Sequence, residues 1–162
     1  HGKQVQGPVL FVANHVSWMD ILLLYTQRAA CFVAKAEIAR WPLVGWLAAR
    51  AGTIFHRRGN AGSLSTVMTV MVTRMRIGRA VAVFPEGGIE HEITGITTVR
   101  TFHARVFQCA LDAQVPIQSV ALTYCRGGCA WDGATFRQGE SFIGNFLRLL
   151  GEPPLQAEVH FL

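Results

Sequence analysis

Short apolar runs alternate along the chain with stretches whose apolar positions recur every three or four residues. The runs read as buried strands and the recurring patterns as helices packed on them. Strands are predicted over 9–13, 31–34, 52–55, 79–84, 115–122 and 155–162. Helices are predicted over 21–25, 35–40, 41–50, from Ser63 or Ser65 through Met75, and over 102–113 and 141–150. Pro42 stands near the start of one helix and Gly78 just past the end of another, where each is favoured. Residues 124–139 are glycine-rich and carry no period, so they read as irregular. This alternation argues for α/β: a single domain, 1–162, with a mixed, largely parallel sheet flanked by helices. No internal repeat, low-complexity tract or linker divides it.

The pattern breaks most sharply after the first strand. Asn14-His15-Val16-Ser17-Trp18-Met19-Asp20 brings a base, a hydroxyl and a carboxylate close together, and Ile21-Leu22-Leu23-Leu24-Tyr25 then resumes as an apolar helix. Asn14 or Ser17 is a candidate cap for that helix, which sets His15 at its mouth. His15 and Asp20 are five apart, roughly 140° around an ideal helix. They meet only if His15 lies in the turn and Asp20 in the first helical turns. There the carboxylate would hold one ring nitrogen protonated and leave the other to accept a proton. That is the equipment of a general base acting on a hydroxyl or thiol. A hydrogen-bonded turn histidine beside a solvated aspartate is the competing reading, and the pair alone does not choose.

Composition narrows the partners. Hydrophobic residues make up 51% of the chain and charged residues 15%, with a mean hydropathy of +0.30; this surface is expected to meet something apolar. Lys and Arg exceed Asp and Glu by 15 to 10, for a net charge of +5 and a pI near 9.5, which favours phosphates or acidic lipid headgroups. No nucleic acid is expected, because the arginines are dispersed and no zinc-finger, RNA-recognition or helix-turn-helix signature appears. Asp20 and Arg50 interrupt the apolar stretches well before the ~20 residues of a spanning helix. The chain starts at His1 and enters its first strand within a few residues, so it is expected to be a fragment, with any membrane-anchoring segment lying upstream. Cys31, Cys109, Cys125 and Cys129 form no Cys-x-x-Cys pair, and a reducing, cytoplasmic setting is the simplest account. No histidine completes a site beside Cys125 and Cys129, and no metal is expected.

Three further stretches carry candidate chemistry. Residues 41–50 place Trp41 and Trp46 among aliphatics, suited either to core packing or to acyl chains at a bilayer interface. The strand over 52–55 delivers His56-Arg57-Arg58-Gly59-Asn60 to the start of a helix, a plausible anion site, with solvated arginines as the alternative. Phe84-Pro85-Glu86-Gly87 ends a buried strand with a carboxylate held between Pro and Gly, where parallel sheets put their ligand sites; a turn glutamate is the alternative. His91-Glu92 lacks the second histidine of a zinc-protease motif, residues 139–144 miss the nucleophile-elbow spacing, and no phosphate-loop lysine follows a glycine cluster.

Four blocks thus stand in order at strand ends: Asn14-His15 to Asp20, Gly52 to Arg58, Phe84-Pro85-Glu86-Gly87, and Val115-Pro116-Ile117. In this order and spacing they resemble the glycerolipid acyltransferases typified by lysophosphatidic acid acyltransferase, over about residues 8 to 125. The resemblance implies a glycerol-3-phosphate acyltransferase-like fold. It also implies that His15 deprotonates an acceptor hydroxyl, that Asp20 orients and charge-stabilises it, and that the alkoxide attacks the thioester of acyl-CoA or acyl-carrier protein with no acyl-enzyme intermediate and no cofactor. By the same resemblance Arg57, and less directly Arg58, bind the acceptor's phosphate, and Gly52 shapes the approach. Glu86 and Gly87 help form the acceptor site, and Pro116 supports a block assigned to the acyl donor.

The expected function is therefore acyl transfer to the free hydroxyl of a lysophospholipid, 1-acylglycerol-3-phosphate, in phospholipid biosynthesis. The expected place is the cytoplasmic face of a membrane. The family's Phe-Pro-Glu-Gly-Thr-Arg continues here as Gly88-Ile89, which removes an arginine, and Phe102-His103-Ala104-Arg105 stands for its Phe-Lys-x-Gly. His103 and Arg105 could restore positive charge; otherwise the acceptor carries no phosphate, and a zwitterionic lyso-ornithine lipid is the alternative. A thioesterase and a non-catalytic lipid-binding module are the readings from other classes.

Overall fold

Leu10–Ala13 is buried at every position, as a strand covered on both faces must be, and it forms the central strand β1. The structure, a computed structural model, describes residues 1–57, 61–87, 99 and 101–162. Helix α1 (Met19–Gln27) leads from β1 to β2 (Ala30–Lys35), and a 3₁₀ turn (Ala36–Arg40) and α2 (Val44–Arg50) lead on to β3 (Ile54–His56). Helix α3 (Ala61–Arg76) returns the chain to β4 (Ala80–Val83). A second 3₁₀ turn (Ala104–Phe107) and α4 (Gln108–Ala113) precede β5 (Ile117–Arg126), followed by β6 (Cys129–Ala130), α5 (Phe142–Leu150) and β7 (Gln156–Phe161).

The strands lie in the order β3-β2-β4-β1-β5, all parallel, with β7 and β6 antiparallel to β5. Alternate residues of β1 point to opposite faces. Phe11 and Ala13 join Leu24 of α1, whereas Leu10 and Val12 join Met71 and Met75 of α3 and Cys109 and Ala110 of α4. The chain therefore leaves β1 towards one face, through α1, while the chain leading from β4 returns over the other, through α4. Adjacent parallel strands whose connections diverge in this way open a crevice at their carboxyl ends.

The predicted mixed, largely parallel α/β domain is the one observed, with three local differences. The strand predicted to end at 122 runs on to Arg126 and turns through Gly127-Gly128 into β6, so part of the stretch read as irregular is a hairpin. The helix predicted over 102–113 is α-helical only in its second half, because the His103 N–H is taken by the Pro85 carbonyl at 2.9 Å, tying that end to the loop after β4. Pro42 lies outside α2, separated from it by Leu43 at φ 61°. The four cysteines are free thiols, and burial pushes the Cys109 thiol above its ordinary range. Among the described residues no helix is long and apolar enough to cross a membrane.

Candidate active site

The backbone leaves the sheet at Asn14, but its side chain does not. Asn14 Nδ2 donates to the Leu122 carbonyl at 2.9 Å and Oδ1 accepts from the Leu122 N–H at 2.8 Å, extending the β1–β5 ladder by one step. Asn14 is thus not the helix cap that its position suggested. Trp18 occupies the cap position without a side-chain bond of its own, and it is the Ser17 hydroxyl that accepts from the N–H of Met19, the first residue of α1, at 3.4 Å. Held at this corner, His15 begins a tight turn whose N–H groups converge on one carboxylate.

That carboxylate is Asp20, which is 0% exposed. Its Oδ2 accepts from the backbone of Val16 (2.7 Å) and Ser17 (2.9 Å) and lies 2.8 Å from His15 Nδ1; its Oδ1 accepts from the Tyr124 hydroxyl at 2.6 Å. An oxygen already accepting two N–H bonds faces a ring nitrogen as an acceptor, so Nδ1 carries the proton and the Nε2 lone pair is left to work. Nε2 has no hydrogen-bond partner among the described residues. The imidazole, 15% exposed, stacks on Phe84 at 4.0 Å, and its backbone N–H donates to Glu86 Oε1 at 2.7 Å. Ring, tautomer and backbone are therefore each fixed by a separate group. Burial, then the neighbouring Asp20, push the Tyr124 hydroxyl far above its ordinary range, so it remains a neutral donor.

Of the expected site residues, His15, Asp20 and Glu86 come together. Glu86 is buried and holds the His15 main chain. Gly87, at φ +82°, adjoins them, and a Cβ there would press on the His103 ring, 3.0 Å from its Nε2. His103 thereby joins the rim of the crevice. Arg57 is exposed at the carboxyl end of β3, the same end of the sheet as His15; two strands intervene, about 14 Å at the usual strand spacing. Its backbone N–H donates to Ser63 Oγ at 3.0 Å, fixing the strand-to-helix corner. Arg58 and Gly88-Ile89 lie outside the described residues.

Gly52 and Pro116 are not brought to this site. Gly52, at φ +81°, turns the chain from α2 into β3 beside Cys31 and Arg79, at the amino ends of the strands. Pro116 lies at that end too, its carbonyl accepting from Leu10 N–H at 3.0 Å. Because the strands are parallel, both lie at the opposite end of the sheet from His15.

Tyr124 was missed by the sequence reading, although a signal existed. Gln118, Val120, Leu122 and Tyr124 are buried at every second position, so the strand period continues through the tyrosine. A second polar cluster abuts the turn: Trp18 Nε1 donates to Asn145 Oδ1 at 2.8 Å, and Asn145 Nδ2 donates to Glu140 Oε2 at 2.9 Å and to the Thr135 carbonyl at 3.1 Å. Arg148 grips both Glu140 oxygens, at 2.8 and 3.1 Å, and holds the Glu140 carboxyl down at about 2. Away from the crevice, His1, Glu158 and His160 bring possible metal-ligand atoms within 4.8 Å of one another.

A family model described as acyltransferase matches residues 1–123. A lyso-ornithine lipid O-acyltransferase from Pseudomonas aeruginosa is 40% identical over 92% of this chain and 56% of its own length. A 1-acyl-sn-glycerol-3-phosphate acyltransferase from Neisseria gonorrhoeae is 34% identical over 72% of this chain and 44% of its own. The crystal structure of the 1-acyl-sn-glycerophosphate (LPA) acyltransferase PlsC from Thermotoga maritima superimposes with a TM-score of 0.58 at 26% identity, covering 75% of this chain and 46% of that one. The chain spans about half the length of these relatives.

Proposed function

Since the chain belongs to the acyltransferase family, we propose that it moves a fatty acyl group from a thioester, acyl-CoA or acyl-carrier protein, to the free hydroxyl of a lysolipid at a membrane surface. The observation that carries this reading is the buried Asp20 oxygen 2.8 Å from His15 Nδ1. His15 Nε2 takes the acceptor's hydroxyl proton as the oxygen attacks the thioester carbonyl carbon. The resulting tetrahedral intermediate expels the thiolate, which receives that proton back from the imidazolium, giving an ester and a free thiol. Asp20 holds the ring and opposes the charge that develops on it. A lipid-binding module has no use for a histidine fixed on three sides.

Two acceptor headgroups fit the reaction. Lyso-ornithine lipid is supported by Gly88-Ile89 in place of the family's Thr-Arg and by the relative from Pseudomonas aeruginosa. Lysophosphatidic acid is supported by Arg57 at the site's end of the sheet. The test is thiol release from a long-chain acyl-CoA with each acceptor, comparing wild type with His15→Ala. Release that needs an acceptor and falls on the order of 10²–10⁴-fold in the variant supports transfer. Acceptor-independent release indicates a thioesterase, and unchanged turnover in folded His15→Ala ends the mechanism. Arg57→Ala should raise KM for lysophosphatidic acid alone, if phosphate is read there.

A further inference from the structure

Helix α5 is built inside out. Asn145 is fully buried and the Arg148 side chain is 13% exposed, both turned inward onto Glu140 and backbone carbonyls. Ile143, Phe146, Leu147 and Leu150 recur at i, i+3, i+4 and i+7, one stripe of an α-helix, and this stripe faces outward. Ile143 is 68% exposed, Leu147 61% and Leu150 68%. Phe142, at the start of the helix, packs on Trp41 at 4.7 Å and so joins this stripe to the segment leading into α2, where Leu43, just ahead of the helix, and Trp46 and Leu47 within it are exposed as well. Core packing, one of the two expectations for residues 41–50, therefore does not describe Leu43, Trp46 or Leu47.

We propose that α5 and α2 form one docking face for a lipid bilayer carrying anionic headgroups; the choice of occupant rests on the lysolipid reading above. Charge supports it. Neither helix contains an acidic residue, the Arg50 guanidinium lies over the exposed Trp46 ring at 5.0 Å, and exposed Lys35, Arg40 and Arg50 outnumber exposed Glu37 around α2. Tryptophan and arginine bordering an apolar face suit the depth where acyl chains give way to phosphate headgroups. A second copy of the same face would set these cations against one another. Position supports it too. Trp18, three residues from His15, packs on Phe146 at 5.6 Å and bonds Asn145, so a lipid leaving the bilayer here arrives beside the crevice.

The test is sedimentation with vesicles of phosphatidylcholine alone or mixed with phosphatidylglycerol, in the absence of either substrate. Wild type and His15→Ala should bind the mixed vesicles equally, and less in high salt. Ile143→Ser/Leu147→Ser, with an unchanged circular dichroism spectrum, should lose roughly tenfold or more of that binding. Equal binding by the double variant would overturn the proposal. So would a wild-type dimer in solution that the same substitutions dissociate, since the face would then belong to a second copy. Binding is read without turnover, so failure of the acyl-transfer reading would leave this result standing.

Discussion

Asp20→Asn tests the core of the site with little change of shape. Three donors, His15 Nδ1 and the N–H groups of Val16 and Ser17, converge on Oδ2, and one hydroxyl reaches Oδ1. The amide should therefore turn its oxygen to the three N–H groups and its nitrogen to the Tyr124 oxygen, which can accept. Geometry survives, but charge does not. Charge-assisted bonds are worth about 1.5–3 kcal/mol and neutral ones about half that, so three weakened bonds, less the relief of burying no charge, leave a loss of about 2 kcal/mol. For a chain of this size that lowers Tm by roughly 4–8 °C. The larger effect falls on the imidazolium formed during transfer: at about 4 Å and an effective dielectric near 20, a lost carboxylate charge is worth about 4 kcal/mol. The corresponding fall in kcat is about 10³-fold. Thiol release under saturating acceptor and thermal unfolding by circular dichroism read the two effects separately. A folded Asp20→Asn protein with kcat within about fivefold of wild type would refute the charge-partner role, because RT ln 5 is only about 1 kcal/mol.

Tyr124→Phe keeps the ring and removes one donor to a buried carboxylate. It should lower stability by about 1.5–3 kcal/mol in denaturant titrations, with the slope of the titration unchanged. Gly87→Ala places a side chain at φ +82° against His103, and should cost at least about 1–2 kcal/mol in the same titration. Glu140 has its carboxyl lowered from 4.5 to about 2, so the stability it contributes is complete above pH 4.5 and is lost as pH falls towards 2. Glu140→Gln should accordingly lower Tm at neutral pH and flatten the Tm profile between those values; a profile parallel to wild type would show that Arg148 does not depend on it.

The sequence by itself determined whatever is local. Strand and helix positions follow from spacing along a few residues, and the His15–Asp20 pair was legible because one turn supplies both partners and the two N–H groups that orient the carboxylate. Even Gly52 and Pro116, read as site residues through resemblance, stand before their strands; only the parallel direction of β1, β3 and β5 puts them opposite His15. What the tertiary structure alone decided is what depends on register between distant segments. Tyr124 meets Asp20 across 104 positions because Asn14 locks β1 to β5 at Leu122, and Glu86 meets the His15 backbone because β4 lies beside β1. The facing of α5 belongs with these. A 3.6-residue period marks a helix with an apolar stripe, but whether that stripe turns inward depends on where Asn145 and Arg148 find partners. They find them in Glu140 and the carbonyls of Gly133 and Thr135, inside the fold, and so the apolar side faces out.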